Sequence, residues 1–294
     1  MFFDTHAHYD DERFDADRAG LLESLPEKGV VNVINAGSDL KSSEAGRRLA
    51  MKYGYVYYAA GIHPHCAAEA PADFEKRLEV FFRFGGPKTS VGGVGSESYG
   101  GGGPKTGDDE IDTQTNENCF AVAAGEIGLD YHYDFSARNI QREIFARQLA
   151  FAGRAGVPVI IHDREAHADI VDIIKAHISA LHGGVFHCFT GDRALARQAL
   201  ALGFHVAFGG AVTFKNASGI ADAAAYVPDD MLLIETDCPY MTPAPFRGKR
   251  NDSTYLGLIA ERLAQIRGAG ADDVARVTTA NAKKLFLPKT WKPN

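Results

Sequence analysis

The 294 residues include only four cysteines (Cys66, Cys119, Cys188, Cys238), and no two form a CxxC pair. That excludes a zinc finger or a disulfide scaffold. No window of about 18 consecutive apolar residues is present to span a bilayer. The opening Met1-Phe2-Phe3-Asp4-Thr5-His6 lacks the basic and apolar regions of a secretory signal. These absences predict an intracellular, reducing setting, cytoplasm or nucleus, with no membrane partner. Positive charge is also scarce: 31 Lys and Arg stand against 38 Asp and Glu, a formal net charge of -7. Such a balance excludes a protein that coats nucleic acid with its whole surface, but leaves room for a local basic cleft. With 45% hydrophobic and 23% charged residues, the chain is too apolar for disorder.

What is present is a rhythm. Eight short apolar or β-branched runs occur at 2–8, 30–37, 55–63, 119–129, 157–163, 184–190, 204–212 and 231–239. Near-continuous apolar runs, rather than strict alternation, predict strands buried on both faces, as in a parallel sheet. Amphipathic stretches at 39–53, 72–84, 137–155, 165–181, 192–202, 254–268 and 272–285 read as helices, several with acidic or Ser caps and Gly or Pro stops. An α/β fold follows, with a single-domain (β/α)8 TIM barrel leading and an open doubly wound sheet as the alternative.

One stretch breaks the rhythm. Residues 85–118 hold ten of the 31 glycines and one aromatic, and repeat Gly-Gly-Pro-Lys-Thr at 85–89 and 102–106. Such a segment buries too little apolar surface to offset its ordering entropy, so it reads as a flexible insertion before the fourth strand. Entering from that side, it should emerge on the face of the barrel away from the catalytic end. It is not a phosphate-binding loop, because Pro104 rather than Gly precedes Lys105 and no strand–helix context surrounds it. Without it, 260 residues and 21 glycines remain, an ordinary content for one barrel.

Ionisable residues fall at the ends of five runs: His6 and His8, Glu126, His162, His187 and Asp237. The spacing of two puts His6 and His8 on one face of a strand. In a barrel these C-terminal ends converge where active sites form. Four imidazoles and two carboxylates suffice for two divalent ions, and a carboxylate such as Glu126 can bridge them. Six such groups converging without metal would be left as costly uncompensated polar groups.

These residues lie in motifs that resemble the TatD family of metal-dependent deoxyribonucleases, within the amidohydrolase-like barrels. The motifs are Phe3–His8, Gly61-Ile62-His63-Pro64-His65, Gly125–Tyr131, Pro158–Arg164, Phe186–Gly191, Glu235–Tyr240 and Arg247-Gly248-Lys249-Arg250-Asn251. The resemblance spans essentially the whole chain outside 85–118. It implies that His6, His8 and Asp237 hold one metal, that His162 and His187 hold the other, and that Glu126 bridges. It further implies that Asp237 is the general base and that His63 faces the scissile phosphate. His65 is expected to hydrogen-bond locally. The implied activity is hydrolysis of DNA phosphodiesters from a 3′ end, with endonuclease action besides. The competing reading is an amidohydrolase-like enzyme acting on a small amide, ester or lactone.

The Arg247, Lys249 and Arg250 cluster and Arg164 are the expected phosphate contacts, with Lys215 a weaker one. Tyr131, Tyr133 and Phe214 could stack bases, although packing is the commoner fate of such residues. Asp252-Ser253 stands where the family usually has Glu-Pro. Four imidazoles suit zinc, manganese or iron better than magnesium, which prefers oxygen, whereas the family is generally described as magnesium-supported. Exchangeable Mg, Mn or Zn reconciles the two. The enzyme is expected to act as a monomer. Cys188 and Cys238 adjoin ligands, but strand alternation should turn both into the barrel wall. His132, His167, His177, His182 and His205 match no role.

Overall fold

All eight apolar runs form strands in the computed structural model, which describes residues 1–82 and 119–287. They are β1 (Phe2–Ala7), β2 (Val30–Ala36), β3 (Val56–Ala60), β4 (Ala123–Asp130), β5 (Val159–Arg164), β6 (Gly184–Phe186), β7 (His205–Phe208) and β8 (Leu232–Ile234). Each pairs in parallel with the next, in the order β1 to β8. The ends of the sheet then meet. His8 donates its backbone N–H to Cys238 O at 2.7 Å, and Asp237 donates to His6 O at 2.9 Å. The result is a (β/α)8 TIM barrel, and the doubly wound alternative is excluded by this order and closure.

The helices among the described residues are α1 (Arg18–Ser24), α2 (Leu40–Lys52), α3 (Phe74–Leu78), α4 (Arg138–Ala155), α5 (His167–His177), α6 (Arg193–Ala201), α7 (Ser218–Tyr226), α8 (Leu256–Arg267) and α9 (Ala271–Phe286). Sequence reasoning missed α1 and α7. The first is a single short helix that buries only Leu22, and the second buries only Ala223 and Ala224, so neither carries a strong apolar stripe. The helix expected at 72–84 is shorter: α3 ends at Leu78 and a 3-10 turn covers Glu79–Phe81. The insertion at 85–118 lies outside the described residues.

Local signals explain the boundaries. Asp39 caps α2 by accepting from Ser42 N at 2.7 Å, and α4 and α8 stop at left-handed glycines, Gly156 and Gly268. The barrel interior takes one apolar residue from each strand: Phe3, Ile34, Ala59, Ala123, Ile160, Val185, Ala207 and Leu233. Ala282 and Phe286 of α9 join them, so the N-terminal end is plugged with hydrocarbon. Burial of each large side chain there contributes about 1.5–3 kcal/mol. One inward step along β5, β6 and β8, from Ile160, Val185 and Leu233, reaches His162, His187 and Glu235. The floor is apolar and the C-terminal mouth is ionisable.

Candidate metal centre

Glu126, fully enclosed in β4, is the hub of that mouth. Its Oε2 lies 3.2 Å from His6 Nε2 and 3.5 Å from His8 Nε2. Its Oε1 lies 2.7 Å from both His162 Nδ1 and His187 Nε2, and 3.4 Å from His63 Nε2. Asp237 Oδ1 completes the first set at 3.5 Å from His8 and 3.8 Å from His6. The six residues expected as ligands therefore meet at one place, carried by β1, β4 and β5 and by the segments just after β1, β6 and β8. Overlapping triads (His6, His8 and Glu126; His6, His187 and Asp237; His63, Glu126 and His162) each bring their ligand atoms within 4.8 Å of one another.

The donor set fits divalent metal. His6 and His8 Nε2 are 3.1 Å apart, and His162 Nδ1 is 3.5 Å from His187 Nε2. Ring nitrogens facing each other at such distances, crowded on the same carboxylate oxygens, would repel if all were protonated, and a cation held by their lone pairs resolves this. The tautomers agree. His8 Nδ1 lies 3.0 Å from the Ala36 carbonyl, which can only accept, so Nδ1 bears a proton and Nε2, which here hydrogen-bonds Asp237, is the atom left to present a lone pair to a metal. His162 Nε2 lies 3.2 Å from Asp130 Oδ2, which leaves its Nδ1 for the centre.

His63 behaves oppositely. Its Nδ1 accepts the backbone N–H of His65 at 3.1 Å, so a neutral ring carries its proton on Nε2. Burial, reinforced by the neighbouring imidazoles of His162 and His65, pushes its pKa down to about 4. His63 is thus a neutral donor beside the ligand cluster.

Electrostatics keep the two acids ionised. Burial would raise Glu126, but the imidazoles of His187, His63 and His6 outweigh it and hold the carboxyl well below the usual range. Burial likewise opposes ionisation of Asp237, and the hydrogen bond from His8 together with His6 and His187 brings it down.

Behind the ligands stand residues that the motifs contained without an assigned role. Buried Asp130, four residues after Glu126, accepts from His65 Nε2 at 2.8 Å and from His162 through Oδ2, while Oδ1 accepts the backbone N–H groups of His132 and Tyr133 at 3.0 and 2.8 Å. Glu235 Oε1 lies 3.4 Å behind His187 Nδ1. An acid at the end of a strand, two alternations after Glu126 for Asp130 and one before Asp237 for Glu235, was the available signal. Gly128 is required where β4 passes β5: its φ is +148°, and a Cβ there would lie 1.9 Å from the His162 carbonyl oxygen.

The Asp237 loop is clamped from below. Asp4 accepts from Thr236 N at 2.9 Å, Thr236 Oγ1 at 2.6 Å and Ser253 Oγ at 2.6 Å, and Asn251 donates to the carbonyls of Thr236 and Tyr240 at 2.8 and 2.6 Å. Ser253 supplies a hydroxyl to this network. Cys238 is buried in the wall as alternation predicts. Cys188 is not: its φ of +42° breaks the alternation, and its thiol faces Asp237.

The expected rim cations differ in employment. Arg164, Arg247 and Lys249 are exposed, with Arg164 4.7 Å over the Tyr133 ring and Arg247 4.1 Å over Phe214. Lys215 is exposed as well. Arg250 instead grips Asp17 through both terminal nitrogens at 2.7 Å and lies 4.6 Å over Phe14. Tyr131 is a packing residue, bonded to Asp169 at 2.5 Å. Phe135, exposed at the mouth, had no sequence signal.

Known proteins resemble the chain along its whole length. The family model for TatD related DNase matches residues 3–287. An uncharacterized metal-dependent hydrolase of Bacillus subtilis, YabD, is 35% identical over 97% of this chain and 99% of its own. The 3′-5′ ssDNA/RNA exonuclease TatD of Erwinia amylovora is 29% identical over 97% of this chain and 99% of its own. The crystal structure of YJJV, a TatD homologue from Escherichia coli K12, superposes with a TM-score of 0.79 at 27% identity, covering 97% of each chain. The fold, the convergent ligand set and these relatives agree: the chain is a metal-dependent hydrolase and belongs to the family of TatD-related DNases.

Proposed function

We propose that this hydrolase cleaves phosphodiester bonds of nucleic acid, DNA foremost, removing nucleotides from a 3′ end. The observation that carries the reading is the division of the imidazoles between the two oxygens of Glu126. His6, His8 and Asp237 would hold one divalent ion, His162 and His187 a second, and Glu126 would bridge, with Mg, Mn or Zn as the metal. When bound, such ions supply the Lewis acidity that polarises a phosphoryl group and lowers the pKa of water.

The chain's own groups do the rest. Asp237, held ionised, takes the proton of the attacking water as general base. His63, its proton fixed on Nε2 beside Glu126 and His162, donates to an anionic phosphate oxygen held there. Arg164, Arg247 and Lys249 supply positive charge at the rim to a strand of opposite sign. Arg250, already paired with Asp17, anchors its loop instead.

The test is a 5′-labelled single-stranded oligonucleotide incubated with chelator-treated enzyme reloaded with Mg²⁺, Mn²⁺ or Zn²⁺. A ladder shortening from the 3′ end, lost on rechelation, is expected. Hydrolysis of an amide, ester or lactone panel with the oligonucleotide intact would overturn the reading.

A further inference from the structure

Large aromatic side chains are costly to leave in water, yet two sit together at the mouth. Tyr133 is 48% exposed and Phe135 68%, and their rings stack with centroids 5.3 Å apart and planes 13° from parallel. Both contact His65 edge-on, at 5.5 and 4.8 Å, and His65 is itself in ring contact with His63 and His162. The pair thus borders the His63 side of the metal centre. Arg164 covers the Tyr133 ring, which places a cation beside the same surface.

The loop between β4 and α4 is built to hold the rings out. Buried Asp130 accepts the Tyr133 N–H. On the other side, buried Ser136 donates to the His65 carbonyl at 3.0 Å, accepts from Ala68 N at 3.0 Å, and receives a hydrogen bond on its own carbonyl from buried Gln141 at 2.7 Å. Between the rings, Asp134 adopts a left-handed φ of +51°, and Arg138 grips its carboxylate at 2.7 Å. That local reversal lets residues 133 and 135 stack. A pair exposed by a flexible loop would need no such anchoring.

We propose that Tyr133 and Phe135 form a stacking platform for one unpaired nucleobase of the substrate, with Phe135 offering the free ring surface and Arg164 contacting the adjoining phosphate. This deepens the nuclease reading and rests on it for the substrate class. The chemistry supports that occupant: a flat aromatic face beside a cation matches a base attached to a phosphate, and every base has such a face. A base within a duplex is stacked on both sides and is not available to the platform, so the site selects single strands.

The probe is a fluorescein-labelled single-stranded oligothymidylate with phosphorothioate linkages, bound to the Mg²⁺-loaded enzyme and followed by anisotropy. Phe135→Ala is expected to weaken binding by roughly 5- to 150-fold. Phe135→Trp should keep the affinity, and Phe135→Leu, which retains bulk without an aromatic face, should not. Tyr226→Ala, at an exposed aromatic on α7 away from the mouth, should bind as wild type. One abasic position in the strand should cost the wild type as much as Phe135→Ala does, and cost that variant nothing further. Wild-type affinity in both Phe135→Ala and Tyr133→Ala, or losses from the abasic site and Phe135→Ala that simply add, would overturn the platform. Cleavage separates the two readings. An enzyme that binds through Phe135 but hydrolyses no phosphodiester refutes the reaction and upholds the platform. One that shortens DNA while Phe135→Ala binds normally does the reverse.

Discussion

The two halves of the centre use the same ligand types but are supported by different means. Behind His162 and His187 stand buried acids, Asp130 and Glu235. Behind His8 stands a backbone carbonyl, that of Ala36, and His6 Nδ1, like His187 Nδ1, has no hydrogen-bond partner among the described residues. The His6–His8–Asp237 half is instead held by the barrel's closure, where β1 meets the loop after β8 through backbone hydrogen bonds and the Asp4 clamp. A carboxylate behind an imidazole fixes its tautomer and raises its basicity. The His162 half is therefore tuned through one separable carboxylate, Asp130, and the other is held chiefly where the barrel closes, by backbone bonds and the Asp4 clamp.

The largest effect should come from the residue that the halves share. Glu126→Gln removes the charge that both sets of imidazoles face, and should leave enzyme that retains no metal after dialysis and hydrolyses nothing above background. Metal analysis by plasma mass spectrometry checks this. If one half stays loaded, the halves are more independent than their common hub implies. Next, Asp237→Asn should lower kcat by about 10²–10⁴. The fold should be retained, because the Asp4 and Asn251 clamps act on Thr236 and Tyr240 rather than on the Asp237 carboxylate, with only a modest fall in melting temperature from the lost pairing with His8 and His6. A wild-type rate in this variant would remove Asp237 from the role of base.

A smaller and more selective effect is expected from Asp130→Asn. It should weaken metal binding at the His162 half by roughly 10- to 100-fold while leaving the His8 half unchanged. Titration calorimetry with Mn²⁺ would show one weakened and one intact phase. Equal weakening of both phases would erase the contrast between side-chain and backbone support.

The same contrast explains what was legible beforehand. The strands were readable because residues buried on both faces, such as Ala123–Asp130 of β4, form unbroken apolar runs. The ligands were readable because they end those runs. Helices α1 and α7 were not, since each buries too little to leave a periodic stripe. Support was the least legible. The bond from Asp130 to His162 spans 32 residues, and that from Arg250 to Asp17 spans 233. Cys188 turns inward only because of its backbone φ, which the strand pattern does not carry. The exposed Tyr133–Phe135 pair depends on a left-handed Asp134 and on anchors to either side. An aromatic in a loop is read from sequence as packing, and only its surroundings say otherwise.

The smallest expected effect sharpens the backbone-supported half. Arg250 ties the loop after β8 to Asp17 and to the Arg13 carbonyl, on the flank where His8 and Asp237 sit. The Arg250 and Asp17 side chains are 31% and 50% exposed, so the pair is worth no more than about 1 kcal/mol and weakens with salt. Arg250→Ala should therefore lower the melting temperature by at most about 2–4 °C, a deficit that shrinks at high ionic strength. Because its charge is already neutralised by Asp17, this variant should leave the salt dependence of oligonucleotide binding unchanged. Arg247→Ala, three residues earlier and exposed, should reduce that slope by about 1, as the loss of one phosphate contact would. If Arg250→Ala reduces the slope equally, Arg250 exchanges Asp17 for phosphate when a strand binds. The loop anchoring this half would then move with substrate, and its support would no longer belong to the fold alone.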